Sequence, residues 1–256
     1  MFDIDHCLDR INYQGSREPL LQTLQDLQLA FVHSVPFENL DIHLGRTIEL
    51  SIDKIFEKIV RGRRGGFCYE CNALFHAILD SLGFDVTYVA ATMQLAIAMN
   101  IEFEHMALLV SLDRDYLVDA GNGQSSLRPM QIGSDEVANF ESIDYRLDKF
   151  EDRFALYFKR EGKNWTPRYS FTTTPRELEQ FAEMCNIIQT SKESQFTQKK
   201  VLTFAKTDGR VTLADRDLEI TRLGKTEARQ LSSNAEYIQA LESYFNIHLA
   251  FVPESW

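Results

Sequence analysis

A chain of 256 residues is long enough for one large domain or for two to three small domains that share a core. Its apolar fraction of 44% and charged fraction of 25% are ordinary for a globular protein and exclude disorder as the default state. The net charge of −11 argues against a general nucleic-acid binder, because such proteins present a basic face.

The cysteine content and the N-terminal segment predict a cytoplasmic protein. The four cysteines are too few to stabilise a secreted fold of this length through disulfide bonds. The first fifteen residues lack the apolar core of a signal peptide, and no stretch approaches the roughly 18 apolar residues of a membrane span. We therefore expect reduced thiols and no membrane partner.

The first third of the chain predicts helices. Apolar residues recur at helical spacing in residues 18–35, which end before Pro36. Residues 51–62 begin with Ser51 as an N-cap, and residues 68–83 place Cys71 on an apolar stripe that stops at a glycine.

After residue 83 the pattern becomes that of strands. Strand-like stretches cover residues 84–95, 105–112, 115–121, 144–150, 153–160, 164–174 and 199–224. Turns are predicted at 113–115 and at Asp208–Gly209, and helical stretches at 175–188 and 234–245. Helices followed by strands, without a repeating βαβ pattern, predict an α+β fold.

The pair Cys68 and Cys71 admits three interpretations. A structural zinc site needs four ligands, commonly two such pairs, and only one pair is present. A thioredoxin-type redox couple should follow a strand in a βαβ unit, whereas this pair follows a helix and a Gly-Gly turn. In the third interpretation Cys68 is a nucleophile and Cys71 is a buried small residue.

Position favours the third interpretation. Cys68 lies where a helix begins, after Gly65 and Gly66, and free N–H groups at a helix start stabilise a thiolate. Three nearby arginines (Arg61, Arg63 and Arg64) add positive charge, for the thiolate or for a phosphate, although a solvated helix end is an equal explanation. Cys7 and Cys185 are most simply structural or surface residues.

A thiolate nucleophile usually works with a histidine and an orienting carboxylate. His105 opens one predicted strand, and Asp119 lies in the next. A simple hairpin centred on Arg114 pairs His105 with Gly123, so Asp119 is four residues out of register, although on the same face. Contact between the two side chains requires a bulge or a shifted turn.

Several segments resemble one enzyme family. "RGGFCYECNALFHAIL" is similar to the nucleophile segment of the arylamine N-acetyltransferases. "HMALLV" and "YLVDAGNG" resemble the family's histidine and aspartate strands, and residues 35–45 and 185–213 resemble two further segments. These matches run in the family's order and cover most of the chain.

The resemblance implies a fold in three parts: a helical bundle over residues 1–83, a β-barrel over 84–185 and an α/β lid over 186–256. The first two parts resemble the core of papain- and transglutaminase-like cysteine enzymes. It also implies a Cys68–His105–Asp119 triad and a soluble cytoplasmic enzyme, monomeric or homodimeric, that binds no metal.

The implied reaction transfers an acetyl group from acetyl-CoA to Cys68 and then to an arylamine, arylhydrazine or N-hydroxyarylamine. Phe37 and Asn122 would line the acceptor site, and the backbone N–H groups of Gly121 and Gly123 would contact CoA. The family usually has an aromatic residue at the position of Asn122, so we expect a roomier or more polar acceptor pocket. The alternative function is an amidase or hydrolase that uses the same triad.

Overall fold

The N-terminal third is helical in this computed structural model, which describes residues 1–93, 101–124 and 126–252. Its elements are α1 (Ile4–Arg10), α2 (Leu21–Val32), the two-residue strand β1 (Phe37–Glu38), α3 (Leu40–His43), α4 (Ile52–Phe56) and α5 (Cys68–Ser81). Ser51 is the N-cap of α4, as predicted, and a π turn at Glu57–Arg61 continues that helix. The three predicted helical stretches are confirmed.

Helix α5 forms the centre of the main core. Its apolar stripe is buried against residues of α2 and of the sheet that follows, and Cys71 is fully excluded from solvent. Phe31 and Phe75, one from each of these two helices, pack with their ring centroids 5.1 Å apart. The beginning of α5 is therefore held rigidly inside the protein.

An antiparallel sheet of eight strands follows and wraps around its own apolar core, which gives it the form of a barrel. Its strands are β2 (Asp85–Met93), β3 (His105–Ser111), β4 (Asp115–Val118), β5 (Met130–Gln131), β6 (Ala138–Phe140), β7 (Ile143–Phe150), β8 (Arg153–Arg160) and β9 (Thr166–Phe171). The spatial order is β5-β4-β3-β2-β9-β8-β7-β6. The last two residues of the first predicted strand, 94 and 95, lie outside the described residues.

The C-terminal part builds a second antiparallel sheet. A 3₁₀ turn at Leu178–Phe181 leads into α6 (Ala182–Thr190) and α7 (Gln195–Gln198). The strands are β10 (Val201–Lys206), β11 (Gly209–Ala214), β12 (Asp217–Arg222) and β13 (Lys225–Gln230), and α8 (Asn234–Ala240) packs on them. β13 was not predicted because all of its residues are exposed, all but Ala228 are polar, and no alternation is present.

Strand β1 connects the N-terminal helical part to the C-terminal sheet. Phe37 pairs with Thr203 of β10, so the N-terminal part contributes an edge strand to the C-terminal sheet.

The helices and strands described above are those of an α+β fold, as predicted. We keep the three-part division after residues 83 and 185 as a proposal. Within the described ranges, no helix combines the length and the apolar character needed to cross a membrane.

The β3–β4 hairpin differs from its prediction by one residue, and this difference affects the site. Ser111 pairs with Asp115, so the turn is centred on Asp113 and not on Arg114. Continued toward the open end, the same register brings His105 within two positions of Asp119 rather than four. Residues offset by two across an antiparallel pair are diagonal neighbours on one face. The shifted turn therefore removes the obstacle to contact.

Candidate active site

Cys68 is the first residue of α5, and it is buried. The Glu70 carboxylate accepts a hydrogen bond of 2.9 Å from the Phe67 N–H, which caps the start of the helix. A Cβ atom at Gly65 would lie 2.2 Å from the carbonyl oxygen of Pro36, so only glycine allows the chain to pass there. The close packing of Gly65 and Gly66 against residues 36–38 thus fixes where the nucleophile candidate lies.

The surroundings of Cys68 oppose an isolated thiolate. Burial raises the pKa of the Cys68 thiol well above its ordinary value, and Cys185 and Asp119 raise that pKa further. A hydrogen bond from the Tyr69 backbone N–H acts in the opposite direction. A reactive thiolate at this position therefore needs a neighbouring cation.

His105 and Asp119 form a buried pair at adjacent strand ends. The His105 Nε2 atom lies 2.8 Å from Asp119 Oδ2, and both side chains are almost completely excluded from solvent. A carboxylate can only accept hydrogen bonds, so Nε2 carries the proton of this contact. Nδ1 is then the ring nitrogen that remains for proton exchange with another group.

Within the described part of the chain, donors from four residues contact the Asp119 carboxylate. The Tyr169 hydroxyl (3.0 Å) joins His105 at Oδ2. Asn72 Nδ2 (3.1 Å) and the Gly121 N–H (3.0 Å) donate to Oδ1. Such a donor set fixes the orientation of the carboxylate, and with it the orientation of the imidazole.

The loop after Asp119 lies directly against Cys68. A Cβ atom at Gly121 would approach the Cys68 carbonyl oxygen to 2.5 Å and Asn72 Nδ2 to 2.6 Å. Gly121 therefore provides a close approach between two backbones. Its N–H donates to the Asp119 carboxylate, and its proposed contact with CoA stays a prediction.

Two polar residues of the site were missed from the sequence. Asn72 lies one turn after Cys68 on the same face of α5, and its Nδ2 also donates to the Met106 carbonyl (2.7 Å). That spacing was a signal that could have been used. Tyr169 comes from β9, more than sixty residues after His105 in the sequence, and no local pattern could have placed it there.

Both predicted acceptor residues and one of the two predicted CoA residues line one small cavity. Phe37, Asn122, Gly123 and Asp119 all line it. Phe37 packs on the ring of Phe67, with centroids 5.7 Å apart, so it is partly a core residue. The roles of Phe37, Asn122 and Gly123 toward ligands stay predictions.

The remaining cysteines behave as apolar residues. Cys7, Cys71 and Cys185 are buried and, like Cys68, are free thiols. Burial raises the pKa of Cys185 to about 12 and raises that of Cys71 as well. Among residues 1–93, 101–124 and 126–252, no group of three or more His, Cys, Asp or Glu side chains could hold a metal ion.

Known proteins share this sequence and this fold over almost the whole chain. Residues 20–253 match the family model described as N-acetyltransferase. The chain is 33% identical to the arylamine N-acetyltransferase of Mycolicibacterium smegmatis, over 96% of this chain and 92% of that protein. It is also 33% identical to human arylamine N-acetyltransferase 1, over 96% and 94% of the two chains. The chain belongs to the arylamine N-acetyltransferase family.

A solved structure of the same family supports the fold assignment. The Mycobacterium marinum arylamine N-acetyltransferase, in complex with CoA, has a TM-score of 0.88 to this chain at 31% identity. The match covers 96% of this chain and 93% of that one. Family membership makes this protein an acetyl-CoA-dependent acyltransferase, with acetyl-CoA as a donor substrate.

Proposed function

We propose that this enzyme acetylates arylamines, arylhydrazines or N-hydroxyarylamines through an acetyl-Cys68 intermediate. The buried His105–Asp119 pair, with the Gly121 backbone packed against Cys68, is the observation that carries the proposal. In the first half-reaction the Cys68 thiolate attacks the thioester carbonyl of acetyl-CoA. The new S–C bond forms, the bond to the CoA sulfur breaks, and the CoA thiolate leaves with a proton from His105.

In the second half-reaction His105 is neutral and acts as a general base. It takes a proton from the amine as the amine attacks acetyl-Cys68, and the Cys68 thiolate leaves and again pairs with the imidazolium. Asp119 holds the ring and stabilises its charged form. The Cys68 backbone N–H, at the start of α5, is our candidate donor to the oxyanion.

The environment of Cys68 supports a paired thiolate and not a free one. Burial raises the pKa of its thiol, so only a cation placed against the sulfur can keep the sulfur ionised at neutral pH. His105 can supply that charge, because Asp119 compensates the imidazolium inside the protein. In this proposal His105 therefore stabilises the Cys68 thiolate and is itself stabilised by Asp119.

Initial rates provide the test. We expect parallel double-reciprocal lines when acetyl-CoA and an arylamine are varied, since the two substrates never bind to the same enzyme form. Cys68→Ser should abolish turnover. Release of CoA at the same rate with and without amine would mean that water is the acceptor, and the hydrolase alternative would replace the proposal.

A further inference from the structure

The loop that follows β4 is held from two sides. Its first residues lie against the proposed nucleophile, as described above. On the barrel side Arg168, the extra residue of a bulge between β8 and β9, donates from Nε to Asn122 Oδ1 at 3.0 Å. On the side of the C-terminal sheet, Arg210 of β11 donates from Nη1 to the Gly123 carbonyl. The loop therefore joins the two sheets directly beside the site.

Arg210 extends this contact into an ion pair with the barrel. Its Nε and Nη2 atoms lie 3.0 Å and 2.7 Å from Glu141 Oε2, and only 13% of the Arg210 side chain and 14% of the Glu141 side chain are exposed. Nη1 also reaches Thr203 Oγ1 at 3.3 Å. Because the pair is largely shielded from water, its charges attract each other more strongly than those of a surface pair. One arginine thus ties the barrel and the C-terminal sheet to Gly123.

The turn that presents Glu141 has an unusual backbone. Phe140 pairs with Ile143, so Glu141 and Ser142 alone form the loop of the β6–β7 hairpin. Their φ angles of 51° and 63° are those of a type I′ turn, in which asparagine and glycine are preferred. Other side chains adopt this conformation at a cost, and such strain is concentrated where a side chain has a function. The turn therefore points to a role for Glu141 beyond reversal of the chain.

The ion pair lies at the edge of the cavity described above. Arg210, Gly123 and Thr203 line this cavity together with Asp119. Movement of the loop away from Arg210 would open the cavity on the side of Asp119 and bring water to the proposed triad. An arylamine brings an apolar ring that fills space as it binds, whereas water needs only an opening. Closure of a site against water is a general way to prevent hydrolysis of a reactive intermediate.

We propose that the Glu141–Arg210 ion pair determines the choice of acceptor by keeping water away from acetyl-Cys68, so that amines receive the acetyl group. This inference rests on the proposed function, and both residues are positioning residues that act through the loop. In the disfavoured reaction the water oxygen bonds to the acetyl carbon, the S–C bond breaks, and His105 takes one proton from the water. Acetic acid leaves, and the Cys68 thiolate again pairs with the imidazolium.

The test measures the lifetime of acetyl-Cys68. Each protein is incubated briefly with acetyl-CoA, freed of the donor by gel filtration, and followed by intact-protein mass without amine and with 4-methoxyaniline. Glu141→Gly removes the carboxylate and suits the φ angle of the turn, so the hairpin is kept. We expect acetyl loss to water to be ~10- to 100-fold faster, as loss of a charge-assisted hydrogen bond predicts. The ratio of the rate with amine to the rate without amine should fall by a similar factor.

Ser142→Gly is the matched control. It introduces glycine at the other left-handed position of the same turn and leaves the ion pair intact. Its two rates should match those of wild type. Arg210→Met is a second variant on the other sheet, and it removes both the partner of Glu141 and the donor to Gly123. It should shorten the lifetime of acetyl-Cys68 in the same way as Glu141→Gly.

Three results would overturn the inference. The first is loss of the acetyl group to water at the wild-type rate in both folded variants. The second is an equal change of the rates with and without amine, which would make the ion pair a support of the triad and not a determinant of the acceptor. The third is an equal effect of Ser142→Gly, which would assign the effect to the turn. Protein that forms no acetyl-Cys68 at all would instead overturn the proposed function, and this inference with it.

Discussion

His105 Nε2 lies 2.8 Å from Asp119 Oδ2, and neither side chain is more than a few per cent exposed. The contact joins the first residue of β3 to the residue after β4, and the Tyr169 hydroxyl shares the same oxygen. In this buried setting the carboxylate fixes the tautomer and the orientation of the imidazole. The pair therefore couples the barrel to the chemistry proposed at Cys68.

Asp119→Asn tests this coupling. The amide offers one acceptor atom where the carboxylate offers two, so its NH₂ group must face one of the present donors. We expect kcat/KM to fall by about 10³- to 10⁴-fold while the fold is kept. Asp115→Asn is the control, since Asp115 is exposed and its carboxylate accepts a hydrogen bond of 2.7 Å from the Ser111 hydroxyl, away from His105. Retention of a tenth of the activity in Asp119→Asn would contradict the proposed role.

The pH dependence of Cys68 alkylation tests the proposed ion pair. Burial alone raises the pKa of this thiol, so without a cation the thiolate fraction at pH 7 is lower than that of an ordinary thiol. With His105 as imidazolium, the iodoacetamide rate should stay high well below pH ~8.5. In His105→Gln the rate should rise only above that pH.

His76→Gln is the control for this experiment. His76 lies in the same helix as Cys68 but stacks on Tyr88, with ring centroids 4.0 Å apart. Its alkylation profile should match that of wild type. If the wild-type rate itself follows the titration of an unpaired thiol, the ion pair is excluded.

Cys68 and Cys71 should respond differently to the same substitution. Cys71→Ser places a hydroxyl in a fully buried apolar position, which we expect to lower the free energy of unfolding by about 1–3 kcal/mol and to leave turnover measurable. Cys68→Ser should abolish turnover with little change in stability. Urea denaturation and acetyl-transfer rates separate the two effects. Equal loss of activity in two folded variants would support the redox interpretation instead.

Arg64 should be important for stability and not for charge at the thiolate. Its Nη2 atom lies 2.6 Å from Glu38 and 3.1 Å from Asp41, and the Arg64–Glu38 pair is buried. Arg64→Met leaves a buried carboxylate unpaired, which should cost about 3–5 kcal/mol of unfolding free energy. Arg17→Met removes a pair of similar length, 2.6 Å to Asp5, that is exposed, and should cost at most about 1 kcal/mol. Similar losses in both variants would contradict this account.

Local patterns predicted the elements that carry the triad. Helical spacing and the Gly-Gly turn located the start of α5 at Cys68, and alternating apolar residues located β3 and β4. Turn position was the weaker inference: a centre at Arg114 and one at Asp113 are equally compatible with the loop residues. A one-residue shift of the turn centre decides whether His105 can reach Asp119, and only the strand pairing of the folded protein shows which centre is used.

Other features depended on distant partners and could not be predicted. The sequence predicted that the arginines before Cys68 add local positive charge. In the structure the Arg64 charge is instead paired with the carboxylates of Glu38 and Asp41. Arg168 lies in an ordinary-looking strand, and the bulge that turns it toward Asn122 is set by the pairing of β8 with β9. Polar contacts made across the barrel leave no periodic trace in the sequence.

The most direct measurement is intact-protein mass after brief incubation with acetyl-CoA and no acceptor, for wild type and Cys68→Ala. The account predicts one acetyl group on wild type, none on the variant, and loss of that group when an arylamine is added. Folded wild-type protein without an adduct would contradict it, and an adduct that persists on Cys68→Ala would show that another residue is the nucleophile.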